Sequence, residues 1–226
     1  MLIGLIGFAG SGKSTVSNIL VRDYDFYKIA FADALKDSVA TIFGWSRLLL
    51  EGDTDESRAF REQKDEFWSE RLGYDVTPRM ILQRMGTEAG RNVFHDDIWI
   101  HTVERRIKYK KEWEFEDNFI IPDVRFPNEV DFVRKNGGMI VRVCRGPEPE
   151  WYDTAAAANS DFTHAPECGE AMRQLGVHYS EWAWIGQQSD YLINNNGTFI
   201  MLESDVNHMM KVFTGPINCD ILSSTK

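Results

Sequence analysis

The feature that most constrains the fold of this chain is a glycine-rich turn between an apolar run and an amphipathic segment. Residues 2–6 are continuously apolar, a pattern typical of a strand that is buried on both faces. Beyond the turn at 7–15, apolar residues recur at helical spacing. A second apolar run at 27–31 and a second amphipathic segment from residue 35 repeat this order. The alternation predicts an α/β fold with a parallel sheet flanked by helices.

The turn itself predicts a phosphate-binding loop. It satisfies the P-loop pattern G-x-x-x-x-G-K-[ST] and reads Gly7-Phe8-Ala9-Gly10-Ser11-Gly12-Lys13-Ser14-Thr15. Glycines let such a turn aim backbone N–H groups at phosphate oxygens, and the next helix adds its positive N-terminus. We therefore predict that residues 10–15 bind ATP, that Lys13 contacts the β- and γ-phosphates, and that Ser14 ligates Mg²⁺. The alternative is a glycine-rich turn between strand and helix that binds nothing.

This motif defines a nucleotide site but not a reaction. The chain contains neither the N-K-x-D sequence that reads guanine nor the L-S-G-G-Q signature of transport ATPases. What remains is a small kinase that moves a phosphoryl group onto a second bound molecule. Such an enzyme needs a second anion site that faces the loop.

Composition excludes several other classes of protein. The formal charge is −10, from 25 Lys and Arg against 35 Asp and Glu, which predicts no binding to a nucleic-acid polymer. No run approaches 18 apolar residues and the N-terminus has no basic segment, so we expect no membrane span, no signal peptide and a cytoplasmic location. Three widely spaced cysteines predict reduced thiols. Whether the protein forms a homodimer is left open.

Candidates for the second anion site lie in the middle of the chain. Arg79 follows Thr77-Pro78, an N-cap and first position of a predicted helix that runs to about residue 91. In this first turn the backbone already favours an anion. Arg91 lies at the other end of the helix, and the guanidinium fork of arginine suits phosphate. Trp99 fits either stacking on a nucleobase or packing in the core.

The remaining segments give the predicted organisation. Residues 51–71 are dense in charges of both signs and predict a solvated helical insertion outside the sheet. Further strands are predicted at 118–121, 139–143 and 190–193, and further helices at 97–110, 127–136 and 202–213. Residues 146–180 are predicted to be irregular.

In their order along the chain, these motifs resemble the deoxynucleoside monophosphate kinases of tailed bacteriophages. The resemblance extends over about residues 1–213 and rests on the P-loop, 31–36, 77–91 with Trp99, 123–129, 178–182 and 195–198. It implies one domain over 1–213 with sheet order 2-3-1-4-5. Within that domain it implies a helical acceptor-binding region at about 44–110 and a lid at about 146–185. A loose tail at 214–226 would follow.

The resemblance also implies the reaction ATP + dNMP = ADP + dNDP, with Mg²⁺. Asp123 and Arg125 would join Lys13 at the transfer site. Asn196 and Gly197 would border the adenine of ATP. The resemblance further implies a set of residues that bind the acceptor: Asp33, Lys36, Arg79, Gln83, Arg91, Trp99 and Arg125.

Two questions about the transfer site stay open in the sequence. Asp123 follows an apolar strand, and its carboxylate would lie near Mg²⁺ or orient the acceptor. Arg173 is the only Lys or Arg between residues 146 and 210. We expect Arg145 to supply the cationic group of the lid, with Arg142 and Arg173 as alternatives.

Two other functions are compatible with these motifs. One is a P-loop kinase of another phosphorylated metabolite, of the dephospho-coenzyme A or phosphomevalonate type. The other is a nucleotide-regulated binding module that has no acceptor. The block from Arg79 to Trp99 favours a nucleotide as the acceptor.

Overall fold

A computed structural model describes residues 1–160 and 163–215 of the chain. The described residues form a five-stranded parallel sheet in the order β2-β3-β1-β4-β5, as predicted. The strands are β1 (Leu2–Ile6), β2 (Tyr27–Lys28), β3 (Phe119–Ile121), β4 (Met139–Cys144) and β5 (Tyr191–Asn194). The predicted tail lies outside the described residues from 216 onward.

Helices cover both faces of the sheet and connect its strands. They are α1 (Lys13–Tyr24), α2 (Asp33–Phe43), α3 (Asp55–Glu62), α4 (Glu66–Leu72), α5 (Pro78–Arg84), α6 (Ile98–Tyr109), α7 (Pro127–Lys135), α8 (Tyr152–Ala158), α9 (Ala165–Gln174) and α10 (Phe199–Thr214). Two π-helical segments, Met85–Phe94 and Lys110–Glu114, continue α5 and α6, and Tyr179–Glu181 forms a 3₁₀ turn. Among the described residues, no helix combines the length and apolar character needed to cross a membrane.

The central strand β1 explains the two main cores. Because successive side chains of a strand point to opposite faces, Ile3 and Leu5 pack on the side of α1 and α10. Leu2 and Ile6 pack on the other side, against α6, α7 and the segment that carries α8 and α9. All five residues of β1 are buried, which accounts for its unbroken apolar sequence.

A third core lies outside the sheet and organises the inserted helices. It joins α2 and α5 through Leu35, Val39, Leu50, Val76 and Ile81. The predicted insertion is therefore helical, with α3 and α4 attached to this small core through aromatic side chains such as Phe60 and Trp68. The exposed charges that dominate residues 51–71 lie on the outer faces of these helices.

The predicted helix from Pro78 to about Arg91 differs in its second half, which is π-helical. The reason is tertiary: the Trp99 indole Nε1 donates to the carbonyl oxygen of Gly86 at 2.8 Å. A Cβ on Gly90 would lie 2.5 Å from the Trp99 ring, so the close approach requires glycine there. Wide turns of this kind are frequent at functional sites.

The prediction that residues 146–180 are irregular is wrong, because they contain α8 and α9. Alanine has the highest helix propensity, and the run Ala155–Ala158 ends α8. Pro166 lies in the first turn of α9, where proline is accepted. Pro147 and Pro149, which favoured an irregular segment, lie before α8 and interrupt no helix. Cys144 and Cys168 are free thiols, and Cys219 lies outside the described residues.

Candidate active site

The residues predicted for the donor and transfer sites lie where four parallel strands end. The P-loop follows β1, Asp123 and Arg125 follow β3, Arg145 follows β4, and Asn196 follows β5. Because these strands are parallel, their carboxyl ends meet at one edge of the sheet. This edge is the usual ligand site of open α/β sheets.

The P-loop is shaped by close backbone approaches. Gly12 has a φ of +104°, and a Cβ there would lie 2.2 Å from the Asn195 side chain. It is the N-cap of α1 and carries no capping side chain, which leaves the first N–H groups of α1 available to an anion. Ser14 is exposed in this first turn, and the buried Ser11 hydroxyl has no hydrogen-bond partner among the described residues.

Lys13 is held across its own loop. Its ammonium group donates to the carbonyl oxygens of Gly7 and Phe8, each at 2.7 Å. Burial and, to a smaller extent, the charge of Arg125 lower the pKa of Lys13 to about 8, against the opposing effects of Glu181 and Asp123. These three charged groups therefore lie within electrostatic range of the P-loop lysine.

Asp123 joins the end of β3 to the start of α2. Its two carboxylate oxygens accept the backbone N–H groups of Phe31 at 3.0 Å and Ala32 at 2.9 Å. Burial raises the pKa of Asp123, against the opposing effects of Lys36, the two N–H groups and Arg125. Both oxygens thus already serve a structural role that fixes the carboxylate at the sheet edge.

Glu129 fixes the backbone that carries Arg125. It is 2% exposed and accepts the N–H groups of Arg125 at 2.7 Å and Phe126 at 3.1 Å. Burial and, to a smaller extent, the charge of Asp123 raise the pKa of Glu129 to about 7, against the opposing effects of Arg91 and the two N–H groups. The Arg125 guanidinium lies 3.7 Å from Glu181 and its side chain is about half exposed, so it is accessible to a ligand.

The guanidinium group of Arg91 already has partners within the protein. Its Nη2 pairs with the buried Glu129 at 2.6 Å, and its Nη1 donates to the Asp96 carbonyl at 2.9 Å. The guanidinium lies 4.0 Å from the centre of the Phe126 ring, and the side chain is 10% exposed. The structure thus brings Arg91 to the segment of Arg125, but through Glu129 and Phe126. A direct contact of Arg91 with a substrate stays a prediction.

The other predicted acceptor residues fall into two groups. Arg79 lies in the first turn of α5, ion-paired with Glu62, and the half-buried Gln83 follows one helical turn later. Lys36 pairs with Glu51 at 2.6 Å, and its charge opposes the rise in the pKa of Asp123. Asp33, by contrast, accepts the Ala30 N–H and pairs with Arg47 and Arg106, which ties it to the turn after α2 and to α6. The indole nitrogen of Trp99 is engaged by Gly86, and its ring packs between two of the cores.

On the donor side, Asn195 belongs to the segment 195–198 that carries the resemblance, but the sequence does not predict its contact with the P-loop. Its amide donates to the Ser11 carbonyl at 2.9 Å and so connects β5 to the P-loop. Asn196 accepts the Gly146 N–H at 2.7 Å, which joins the loops after β4 and β5. A Cβ on Gly197 would lie 2.7 Å from the Met201 sulfur, so this turn packs closely against α10. The asparagine run at a strand end was the available signal.

The candidate lid packs onto the P-loop through aromatic rings. Phe8 contacts Trp184, Trp151 and Tyr152 edge-on, with ring centroids 4.9, 5.6 and 6.2 Å apart. The phosphate loop and the segment that carries α8 are therefore one packed unit.

The cations of the lid region differ in their surroundings. Arg145 is exposed directly after β4. Arg173 pairs with Glu170 on the surface of α9. Arg142 pairs with Glu148 and lies over the rings of Tyr152 and Trp184.

The chain is similar to several known proteins. A family model for deoxynucleotide monophosphate kinase matches residues 53–160. A protein of Acanthamoeba polyphaga mimivirus, named "Putative deoxynucleotide monophosphate kinase", is 31% identical over 154 residues, which are 64% of this chain and 74% of that protein. The deoxynucleoside-5'-monophosphate kinase of Escherichia phage T5 is 40% identical over 60 residues, 26% of this chain and 22% of that one. The crystal structure of TT1252 from Thermus thermophilus has 17% identity and a TM-score of 0.43, with 95% of this chain and 98% of that chain covered.

The sheet order and the loop at its edge define the class as a P-loop nucleotide-binding protein. Within that class, the similarity to the mimivirus protein is long enough to fix the family. This chain belongs to the deoxynucleotide monophosphate kinase family, which confirms the resemblance found in its motifs.

Proposed function

We propose that the protein transfers the γ-phosphoryl group of ATP directly to the phosphate of a deoxynucleoside monophosphate, giving ADP and a deoxynucleoside diphosphate. The observation that supports this most is the convergence of Arg125, Glu181 and Asp123 on Lys13 at one sheet edge. A donor site and an acceptor site that face each other are what direct transfer needs, because the reaction depends on positioning and on charge neutralisation.

On the donor side, Lys13 leaves the carbonyl oxygens of Gly7 and Phe8 and binds the β- and γ-phosphates. With a pKa of about 8, Lys13 is mostly protonated at neutral pH. The N–H groups of the first turn of α1 bind the remaining phosphate oxygens. Asn196 and Gly197 border the adenine from the turn after β5.

The residues at the loop also fit Mg²⁺ bound together with ATP. Ser14 presents an exposed hydroxyl in the first turn of α1, the usual position of the protein ligand in P-loop enzymes. When bound, the metal ion would neutralise charge on the β- and γ-phosphates. Ser14 would hold it, while Lys13 supplies the neighbouring cation.

On the acceptor side, Arg79 and Arg125 bind the phosphate of the monophosphate. Arg79 is paired with Glu62 and Arg125 with Glu181, and both glutamates are accessible to solvent. A phosphate group that carries nearly two negative charges displaces them. Gln83 and Trp99 border the base, and Lys36 and Asp33 border the acceptor at the start of α2. Arg91 supports Arg125 through Glu129.

Asp123 acts in this scheme as an orienting group and not as a base. The attacking atom is a phosphate oxygen that is already anionic, so no proton has to be removed from it. The carboxylate keeps the end of β3 on the turn at Phe31 and Ala32, and its charge favours the protonated form of Lys13. From the end of β4, Arg145 contacts the transferring group. We place the activity in the cytoplasm, where ATP and its acceptor are both available.

A turnover assay with ATP, Mg²⁺ and the eight common nucleoside monophosphates tests the proposal. The expected result, detected by chromatography, is that at least one deoxynucleoside monophosphate gives ADP and its own diphosphate. Dephospho-coenzyme A and phosphomevalonate serve as the alternative acceptors. Activity with one of these alone would overturn the assignment, as would slow ATP hydrolysis without any diphosphate product.

A further inference from the structure

We infer that Arg61 is a further acceptor-binding residue, whose guanidinium binds the phosphate of the monophosphate together with Arg79 and Arg125. This inference rests on the proposed function. It concerns a side chain in the charged segment 51–71, which the sequence predicts to be solvated.

The surroundings of Arg61 leave its hydrogen-bonding capacity largely unused. It lies in the last turn of α3 and is half-buried. Its Nη1 reaches the carbonyl oxygen of Glu51 at 3.4 Å, and its buried Nε has no partner among the described residues. Arg47, also outside the sheet, shows the contrast, since it pairs with three carboxylates. A buried guanidinium without enough acceptors is unfavourable unless an anion completes its contacts.

The charged neighbours of Arg61 are the residues already placed at the acceptor. Burial together with Arg79 and Arg125 lowers the pKa of Arg61, and Glu62 and Glu181 oppose the shift. Both glutamates are engaged by the other two arginines, Glu62 by Arg79 and Glu181 by Arg125. Among the described residues Arg61 therefore has no carboxylate partner of its own, and the excess of positive charge favours binding of a dianion.

This cluster adjoins the donor site. Arg125 lowers the pKa of both Arg61 and Lys13, and Glu181 raises the pKa of both, so these two residues lie near both cations. A phosphate bound among the three arginines would therefore lie on the side of the P-loop lysine, where the acceptor oxygen must be for transfer.

The backbone next to Arg61 makes room for its guanidinium. Gly52 has a φ of +77°, and a Cβ at this position would lie 2.1 Å from the Arg61 Nη1. Any other residue at 52 would meet both backbone strain and the guanidinium. The position that requires glycine therefore leaves the space that the Arg61 guanidinium occupies.

The test compares Arg61→Ala and Arg61→Lys with Arg58→Ala in the full-length protein. Arg58 is a matched control because it lies one turn earlier on α3, is exposed, and pairs with Asp55 at 2.5 Å. For each variant, steady-state kinetics give KM for the deoxynucleoside monophosphate, KM for ATP and kcat. Inhibition by the corresponding deoxynucleoside, which lacks the phosphate, gives a fourth value. Thermal unfolding checks that each variant is folded.

Arg61→Ala should raise KM for the monophosphate about 10- to 100-fold, as expected for the loss of one charge-assisted contact. KM for ATP and the inhibition constant of the deoxynucleoside should stay within about 2-fold, because neither involves the acceptor phosphate. Arg61→Lys should fall between wild type and Arg61→Ala, since it keeps the charge but loses the fork. Arg58→Ala should match wild type.

Other outcomes separate the inference from the proposed function. If wild type uses deoxynucleoside monophosphates but Arg61→Ala keeps its KM, the inference fails and the function stands. If Arg61→Ala weakened the binding of the monophosphate and of the deoxynucleoside equally, the effect would be structural only, and this result would also overturn the inference. A rise confined to KM for ATP would assign Arg61 to the donor side. If wild type turns over no deoxynucleoside monophosphate, the proposed function fails, and the inference fails with it.

Discussion

Replacing Arg91 by alanine should destabilise the protein strongly. The substitution leaves Glu129, which is 2% exposed, with two backbone N–H groups and no cation. Removing one partner of a buried ion pair costs about 3–5 kcal/mol in the free energy of unfolding. In a domain of this size each kcal/mol lowers Tm by about 2–4 °C, so the expected loss is roughly 6–20 °C.

The pH dependence of this loss follows from the pKa of Glu129. Burial raises that pKa from 4.5 to about 7, so the folded protein binds this proton more tightly than the unfolded chain does. The stability contributed by the bound proton is full below pH 4.5 and is lost as pH rises through about 7. Without Arg91 the folded pKa of Glu129 rises further. The loss in stability caused by Arg91→Ala should therefore be larger at pH 8.5 than at pH 5.5.

Urea and thermal unfolding of wild type and Arg91→Ala at the two pH values measure both effects. Arg84→Ala is a suitable control, because Arg84 is exposed on α5 and its loss removes only a cation–π contact with Tyr74, which is worth at most about 1 kcal/mol. In the background of Glu129→Gln, Arg91→Ala should cost less and lose its pH dependence. Unchanged stability of Arg91→Ala together with a raised KM for the monophosphate would refute this reasoning and make Arg91 a substrate-binding residue.

Three further predictions concern the two substrate sites. Because the pKa of Lys13 is about 8, kcat/KM for ATP should fall as pH rises through 8, whereas Lys13→Arg should keep a flat profile at lower activity; parallel pH profiles without that difference would contradict the role of Lys13. Arg79→Ala should raise KM for the monophosphate about tenfold and leave KM for ATP unchanged. A rise in KM for ATP alone would contradict this prediction and assign Arg79 to the ATP site. Asn195→Ala should weaken ATP binding several-fold in calorimetry, since the P-loop loses the bond to Ser11; Asn207→Ala, which removes a surface bond to Tyr24, is the control and should bind ATP like wild type.

Much of the fold could be predicted because parallel strands buried on both faces appear in the sequence as continuous apolar runs. The run at 2–6 and those before Asp123 and Arg145 are of this kind, and each strand lies within about two residues of its prediction apart from β2, which is shorter. The strand order came from the resemblance, since periodicity does not specify which strands are neighbours.

What could not be predicted depends on contacts between distant residues. The π-helical turn before Trp99 forms because that ring takes the space beside Gly90 and the carbonyl of Gly86. The pairing of Arg91 with Glu129 joins residues 38 positions apart, so the sequence shows an arginine but not its partner. Arg61 looks like any surface charge in a mixed segment until α3 is placed beside α5.

A bisubstrate analogue tests the facing donor and acceptor sites most directly. Adenosine joined through five phosphates to the 5' position of an accepted deoxynucleoside spans both sites at once. If the sites face each other, the analogue should compete with ATP and with the monophosphate, and should bind at least 100-fold more tightly than either, on the order of the gain for linked ligands. Competition with ATP alone, at an affinity no better than that of ATP, would contradict the account.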